Sequence, residues 1–286
     1  MRHKKRRGYS TAATLLCFLL VFLICAPLLL IPAGSVTGAA EMRRMLAPVL
    51  GTGDGYARWY VLVLYPTLEN FQRLLLESPQ FYHLFWNSVG MTVCILLGQL
   101  VIGTPSAWAF AAFRFRGRNL LFGLYIVLLL LPFQVMLLPQ YLVLKQTKLY
   151  GNMAAVILPM IFSTFPVFLM YQGFSQIEAE MLEAARLDGA GEWQIFLRIG
   201  VPMGKMGIES AVVLGFLECW NLVEQPMAFL QEQRDWPLSL YLPQLGIEQA
   251  GFAFAMSLLV LIPALFVYAL GQDALIEGIS YMKGKN

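Results

Sequence analysis

The sequence predicts an all-α, polytopic membrane protein with six transmembrane helices. Of its 286 residues, 58% are hydrophobic and only 13% are charged, whereas a soluble globular domain carries about 25% charged residues. Long stretches without Asp, Glu, Lys or Arg recur, and most exceed the roughly 20 residues that a helix needs to cross a bilayer. This composition excludes a disordered chain, a collagen-like chain and a disulfide-rich secreted domain.

Six segments are candidate crossings, predicted in chain order at residues 8–40, 78–113, 119–144, 149–177, 206–230 and 249–272. The fifth is unusual, because Glu209, Glu218 and Glu224 interrupt its apolar run. Several segments contain proline, which frees a backbone carbonyl and bends a helix. We therefore expect bent helices, either because the protein opens and closes or only because proline is common in membrane helices.

The first crossing follows a basic N-terminal segment at residues 1–14. A secretory signal also begins with basic residues, but here the apolar run extends over residues 15–32 and no small-residue cleavage site closes it. We therefore predict an uncleaved first helix at 15–32. The next segment, residues 33–82, is interpreted as an outer loop that caps the outer face, with three glycines close together at 51, 53 and 55.

Lys and Arg set the predicted orientation, because these residues concentrate on the cytoplasmic side of membrane proteins. With the N-terminus inside, the inner segments contain 13 of them and the outer segments contain 7. Both termini are therefore predicted in the cytoplasm. Residues 83–276 then form a core with five further crossings, and residues 277–286 form a cytoplasmic tail.

Residues 177–205, between the fourth and fifth crossings, are too polar to cross and too long for a simple turn. Glu180, Glu183, Ala184 and Leu187 follow the i, i+3, i+4, i+7 spacing of a helix. This helix is predicted to end at Asp188 and Gly189, because glycine readily adopts the left-handed conformation that ends helices. A second helix is predicted over residues 192–199, stopping before Pro202. Its predicted apolar face consists of Trp193, Phe196 and Leu197.

The predicted helix–turn–helix, called the elbow below, lies on the cytoplasmic side in this topology. Between residues 178 and 192 it contains five acidic residues and a single basic one, Arg186. Small residues at Ala184, Ala185 and Gly189 allow close approach, and the carboxylates suit a partner's Arg or Lys. On pattern alone, a docking surface and a solvated loop with a structural turn are equally supported.

The segment EAARLDGAGEWQIFLRIGVP resembles the EAA motif of binding-protein-dependent ABC importer permeases. The matching positions are Glu183, Ala184, Ala185, Gly189 and Pro202. The resemblance covers residues 87–202 and extends through Trp-Asn at 220–221 to residues 275–279, about two thirds of the chain. It is strongest to the sugar-importer branch that contains the maltose permease, with six helices of the MetI-like type.

This resemblance implies that the elbow is a coupling helix seated in a cleft of a separate ATPase subunit. Gly189 would supply the turn, and Glu183 would orient it or meet the partner. The coupling residues implied by the motif are Glu183, Ala184, Ala185, Arg186, Asp188, Gly189 and Pro202. The implied partners are a second homologous permease, two ATP-binding cassette ATPase subunits and an extracytoplasmic solute-binding protein, in a bacterial-type inner membrane. No nucleic acid is expected.

The sequence itself agrees that the energy source lies elsewhere. It contains no G-x-x-x-x-G-K-[ST] phosphate loop, and the nearest match, residues 200–205, is one residue too short and lacks the Ser or Thr. We therefore expect no cofactor in this chain, with ATP hydrolysed by a partner subunit.

Polar residues in the fifth crossing are candidates for the substrate pathway. An ionised carboxylate at the bilayer centre costs about 2.5–3.5 kcal/mol, so Glu218 and Glu224 are expected to face a cavity or a partner helix. On one helix their spacing places them about 240° apart. Glu224 at the outer boundary and helix–helix packing are the alternatives. The pathway candidates are Gln134, Glu218, Trp220, Asn221 and Glu224.

One departure from the family leaves the cargo open. The family often has an acidic residue directly after Trp-Asn, where this chain has Leu222. The permease therefore either contacts the sugar through a displaced acid or does not contact it. The alternative functions are a permease for another cargo (phosphate ester, amino acid, peptide or osmolyte) and a non-transporting membrane scaffold. An enzyme is not expected, because neither H-E-x-x-H nor G-x-S-x-G occurs.

Overall fold

The computed structural model describes residues 5–49, 56, 63–242, 246 and 249–282. Within these residues the chain is helical and contains no strand, only an isolated antiparallel bridge between Thr37 and Pro66. The all-α prediction is therefore confirmed. Three groups of residues from the sequence analysis lie outside what the structure describes. They are the glycines at 51, 53 and 55, the last four residues of the predicted tail, and most of the basic side chains that precede the first crossing.

The chain divides into two compact units. The first combines residues 1–81 with 242–262, and the second combines residues 82–241 with 263–286. The helices of the first unit are α1 (Lys5–Cys25), α2 (Leu30–Ser35), α3 (Ala39–Leu46), α4 (Glu69–Leu76) and the beginning of α17 (Ala250–Met282).

A buried asparagine organises the first unit. The Asn70 side chain, at the beginning of α4, donates hydrogen bonds to the carbonyls of Ser35 (3.1 Å) and Thr37 (2.9 Å). These carbonyls follow the first apolar span, where backbone acceptors no longer have helical partners. The segment predicted as an outer loop is thus partly helical, and its helix α4 is tied to the end of the first span.

The second unit contains the rest of α17 and the remaining helices. They are α5 (Pro79–Gly98), α6 (Thr104–Ala112), α7 (Arg118–Leu130), α8 (Phe133–Gln146), α9 (Ala154–Ile161), α10 (Thr164–Phe174), α11 (Ala179–Leu187), α12 (Glu192–Ile195), α13 (Val201–Met203), α14 (Lys205–Trp220), α15 (Glu224–Phe229) and α16 (Leu238–Tyr241). Two π-helical turns, Gln99–Gly103 and Phe196–Gly200, join α5 to α6 and α12 to α13.

Between four and six helical elements of the described residues are long and apolar enough to cross a membrane. Four of them run without a sharp bend: Ala13–Ser35, Pro79–Ala112, Ala154–Phe174 and Ala250–Asp273. Two more require a bent pair of helices each: Arg118–Leu130 with Phe133–Gln146, and Glu192–Met203 with Lys205–Trp220. The described residues therefore contain four to six helical elements able to cross a membrane.

The third crossing is not the single helix that its apolar run suggested. Helices α7 and α8 meet at a bend of 106°. Leu131 is extended (φ −75°, ψ 125°), because a residue before proline is disfavoured in the helical conformation. Pro132 also lacks the N–H that would continue the helical bonding. The proline was visible in the sequence, but the size of the bend was not.

The prediction of one continuous fifth crossing is wrong. Helix α14 ends at Trp220, and α15 begins only at Glu224. The Asn221 side chain donates to the Leu217 carbonyl (2.9 Å), one of the acceptors freed at the helix end, and Pro226 has no N–H to continue the helix. Glu218 and Glu224 thus lie on different helices, and the angle of about 240° between them does not apply.

The second elbow helix also differs from its prediction. It does not stop before Pro202 but continues through the π turn into α13 and ends at Met203, where a bend of 69° leads into α14. Pro202 lies in the first turn of α13, directly after the π turn.

Candidate functional site

The elbow is built around a glycine that ends α11. Gly189 has φ +84°, a left-handed conformation that strains any other L-residue. Its N–H donates to the Arg186 carbonyl (3.0 Å), and the Ala190 N–H donates to the Ala185 carbonyl (3.0 Å). These two bonds form a Schellman motif, which satisfies carbonyls that the helix end leaves free. The helix end and turn predicted at Asp188 and Gly189 are confirmed.

An ion pair closes the elbow from the side. Arg186 Nε lies 2.8 Å from Glu192 Oε1, and Arg186 Nη2 lies 3.3 Å from Glu192 Oε2. This two-bond geometry joins the end of α11 to the beginning of α12. The hydrogen bond to Glu192 raises the pKa of Arg186 above its ordinary value. The turn is therefore preformed in the isolated chain, and Arg186 is used inside the elbow.

The outer surface of the elbow combines acidic and apolar side chains. Glu183 and Asp188 are exposed, and so are Leu187, at 90%, and Trp193, at 70%. The predicted apolar face of the second helix is wrong for Trp193 and Leu197, which point outward, and right only for Phe196. Ile195 and Gly200 are also buried, and the sequence spacing did not distinguish them.

Beneath the elbow lies an aromatic cluster. Trp108 contacts Phe174 edge to face with ring centroids 5.4 Å apart, and its centroid lies 5.8 Å from that of Phe196. Leu182 of α11 and Ile195 of α12 belong to the same buried cluster. Both elbow helices are therefore anchored on α6 and α10 by buried side chains, while their polar faces remain open.

The helices that lead into and out of the elbow touch through their backbones. A Cβ on Gly173 of α10 would lie 2.9 Å from the Cα of Gly207 in α14, and 3.1 Å from the Gly204 carbonyl oxygen. Only glycine at both positions permits this approach, since a side chain would collide with main chain that cannot rotate away. Nothing in the sequence indicated that these two glycines, 34 positions apart, are in contact.

The two helix breaks meet at a polar contact. Gln134 Nε2, just after the bend between α7 and α8, donates to Glu224 Oε1 (3.2 Å), at the first residue of α15. Both had been chosen from the sequence as pathway candidates, without any indication that they pair. The contact is exposed in the isolated chain. Both side chains thus extend from points where a transmembrane helix is interrupted.

The other pathway candidates have different surroundings. Trp220 is 96% buried and stacks on Phe216, with centroids 5.4 Å apart and an interplanar angle of 14°. The Asn221 amide caps the end of α14. Glu218 is exposed, two residues before the end of α14. Only Gln134 and Glu224 are brought into contact, and a pathway role for the other three stays a prediction.

Comparisons with known proteins agree with this architecture. Residues 99–280 match the family described as binding-protein-dependent transport system inner membrane component. The chain is 28% identical over 217 residues to the arabinooligosaccharides transport system permease protein AraQ of Halalkalibacterium halodurans, covering 75% of this chain and 78% of that one. It is 30% identical to the sn-glycerol-3-phosphate transport system permease protein UgpE of Shigella flexneri serotype 5b (71% and 74% covered). It is also 28% identical to the lactose transport system permease protein LacG of Rhizobium radiobacter (68% and 72% covered).

The fold has a counterpart among solved structures. It superposes on a bacterial ABC transporter involved in the import of the acidic polysaccharide alginate with a TM-score of 0.79, covering 96% of this chain and 98% of the other at 20% identity. This likeness shows the fold. The family match spans more than half of the chain and includes the elbow, the glycine contact and both helix breaks. The chain therefore belongs to the family of binding-protein-dependent transport system inner membrane components, as a multi-pass membrane permease subunit.

Proposed function

We propose that this chain is a permease subunit of an ATP-driven importer for a sugar or oligosaccharide, and that it couples to a separate ATPase through the elbow. The observation that carries the proposal is the preformed elbow itself. Its turn is closed by the Arg186–Glu192 pair, and Glu183, Leu187 and Trp193 remain exposed on its outer surface. Such a surface suits docking into a partner's groove.

The chemistry of the elbow surface defines the partner it needs. Leu187 and Trp193 are large apolar side chains left exposed near the carboxylates of Glu183 and Asp188. Buried apolar and aromatic anchors surrounded by complementary charge are typical of stable interfaces. A cleft with an apolar floor and basic rims would cover them and pair with Glu183 and Asp188. We assign this cleft to the ATPase subunit.

The rigid attachment of the elbow supports a role in transmission. Because α10 and α14 are in backbone contact at Gly173 and Gly207, a force applied to the elbow moves both helices together. Helix α14 ends at the break that precedes Glu224. Movement of the elbow would therefore reach the polar contact between Gln134 and Glu224.

The cargo is inferred from the relatives and from the polar contact. AraQ and LacG belong to transport systems named for an oligosaccharide and a disaccharide. Amide and carboxylate oxygens such as those of Gln134 and Glu224 suit hydrogen bonding to sugar hydroxyl groups. A second, homologous permease would supply the other half of the pathway, and a solute-binding protein would deliver the sugar from outside.

Orientation follows from the charges. With 13 Lys and Arg residues on the predicted inner side against 7 on the outer side, we place both termini and the elbow in the cytoplasm. This position is the one in which an ATPase could reach the elbow.

A phosphate ester is the second candidate cargo. UgpE, at 30% identity, belongs to a transport system named for sn-glycerol-3-phosphate. Glu224 argues against an anionic cargo at the polar contact, because like charges repel there.

The proposal is tested in liposomes that contain the chain with its ATPase and second permease, supplied with the solute-binding protein. Labelled arabino-oligosaccharide, lactose and glycerol-3-phosphate are compared as cargo. Gly189→Val should abolish ATP-dependent uptake, since φ +84° is closed to valine. Gly191→Val is the matched control, because Gly191 is extended (φ −72°, ψ 155°) and a Cβ there meets nothing within 4 Å. Equal uptake by both variants would exclude coupling through the elbow.

A further inference from the structure

A cavity of about 610 Å³ lies beside the elbow. Its walls come from the end of α6 with the following turn, from the end of α10, and from the elbow helices. Charged residues of the turn after α6, of the first position of α7 and of the elbow helices line it: Arg114, Arg118, Glu183, Arg186 and Glu192. Its volume falls within the range of about 300–1,000 Å³ that is usual for binding pockets.

The charged side chains of this cavity differ in whether they have bonding partners. Arg186 is paired with Glu192, and Arg118 Nε donates to the Phe110 carbonyl (2.6 Å). Arg114 and Glu183 make no hydrogen bond or ion pair with any described residue. Arg114 therefore lines the cavity without an opposite charge among the described residues, whereas Glu183 interacts electrostatically with Arg186. An arginine left in this way is expected of a surface that is completed by another molecule.

The aromatic wall of the cavity also contains a polar group without a hydrogen bond. Trp108 lines it and is 96% buried, yet its indole N–H has no hydrogen-bond acceptor among the described residues. Buried polar groups are normally paired. The isolated chain thus lacks an acceptor in the same region where Arg114 lacks an anion.

We propose that this cavity is a second docking point for the ATPase subunit, where Arg114 receives a carboxylate of that subunit. The inference rests on the proposed function of the elbow. Because Glu183 belongs both to the elbow surface and to the cavity wall, a partner seated on the elbow also covers the cavity. Its surface would combine a basic cleft for the elbow with an adjacent acidic group for Arg114.

Two docking points would connect one partner to both bent helix pairs. The elbow leads through α14 to the break before Glu224. The turn that holds Arg114 leads through α7 to the break before Gln134. Helix α7 also packs on α10 here, where Phe122 and Tyr171 have centroids 4.2 Å apart. A partner that held both points would set the separation of the two breaks, which a partner on the elbow alone would not.

The test compares two arginines of the same turn in the purified complex with the ATPase. Arg114→Glu should lower retention of the ATPase subunit in detergent, and ATP-dependent uptake in liposomes, by at least tenfold. Arg116→Glu is the matched control, because Arg116 is exposed, lies two residues away and does not line the cavity. It should stay within twofold of the unmodified chain. Replacing acidic residues of the ATPase by Arg, one at a time, should identify a change that restores Arg114→Glu.

Each other outcome has a defined meaning. Normal retention in Arg114→Glu alongside failure of Gly189→Val would overturn the second docking point and leave the elbow in place. Normal ATPase retention and uptake in both Arg114→Glu and Gly189→Val would overturn the proposed function as well. Equal losses of ATPase retention in Arg114→Glu and Arg116→Glu would indicate a general need for positive charge in this turn. A loss of uptake seen only in anionic liposomes would indicate that Arg114 binds lipid headgroups. Either result contradicts the proposal. Should Arg114→Glu insert poorly, Arg114→Gln should still lower retention several-fold.

Discussion

The pair α10–α14 and the pair α7–α8 differ sharply in how they are held. Helices α10 and α14 touch through glycine backbones and carry many buried side chains. Helix α7 has no buried residue and α8 has one, Leu144. These two are joined at a 106° bend whose polar contact is the exposed pair Gln134–Glu224.

This difference in packing suggests that one helix pair transmits force and the other changes conformation. Close-packed elements have low compressibility and move as one body, so the pair that carries the elbow suits transmission of force. A pair with few internal contacts depends on lipid or on a neighbouring subunit, and such regions change conformation at low cost. We infer that α7–α8 is the part of the chain that rearranges.

The largest expected effect comes from breaking the rigid pair. In Gly207→Ala the new Cβ would lie 2.9 Å from the Gly173 Cα and 3.0 Å from the Leu169 carbonyl oxygen, so α10 and α14 must separate. Overpacking of this kind costs about 1–3 kcal/mol. We expect a clear drop in melting temperature in detergent and a loss of most uptake.

The matched control for this variant is Gly123→Ala in α7, where a Cβ meets nothing within 4 Å. It should be neutral or slightly stabilising, since alanine favours helix more than glycine does. Similar melting temperatures for the two variants would show that the glycine contact is not under strain and would remove the distinction between the pairs.

An intermediate effect is expected at the bend of the loose pair. Pro132→Ala restores the missing N–H and relieves the restriction on Leu131, so α7 and α8 should become straighter. Distances between spin labels on the two helices should lengthen, and uptake should fall several-fold. Pro139→Ala is the control, because Pro139 lies inside α8 and the helix continues past it. Unchanged label distances in Pro132→Ala would mean that packing, rather than proline, sets the bend.

The smallest effect is expected at the polar contact itself. Gln134→Ala and Glu224→Ala, singly and together, form a double-mutant cycle for the 3.2 Å hydrogen bond. A bond to a charged group contributes about 1.5–3 kcal/mol when it is protected from water, and less when it is exposed. We expect non-additive changes in the KM for cargo with unchanged ATPase retention. Strict additivity would show that the two side chains act independently.

The sequence alone determined the local features of this protein. Apolar runs marked the candidate crossings, helical spacing marked α11, and Gly189 marked its end, because each depends on residues that are close together in the chain. The EAA motif identified the family for the same reason. The sequence also selected Gln134 and Glu224, since a polar side chain in an apolar segment is conspicuous on its own.

Only the tertiary structure decided which of these features meet. The contact of Gly173 with Gly207, the pairing of Gln134 with Glu224 and the cavity that joins Arg114 to Glu183 all connect distant segments. In a membrane protein the outward faces of helices are as apolar as the buried ones, so hydrophobic spacing does not indicate which face packs. Helix contacts there depend on shape and on the angle at each break, which no local pattern records.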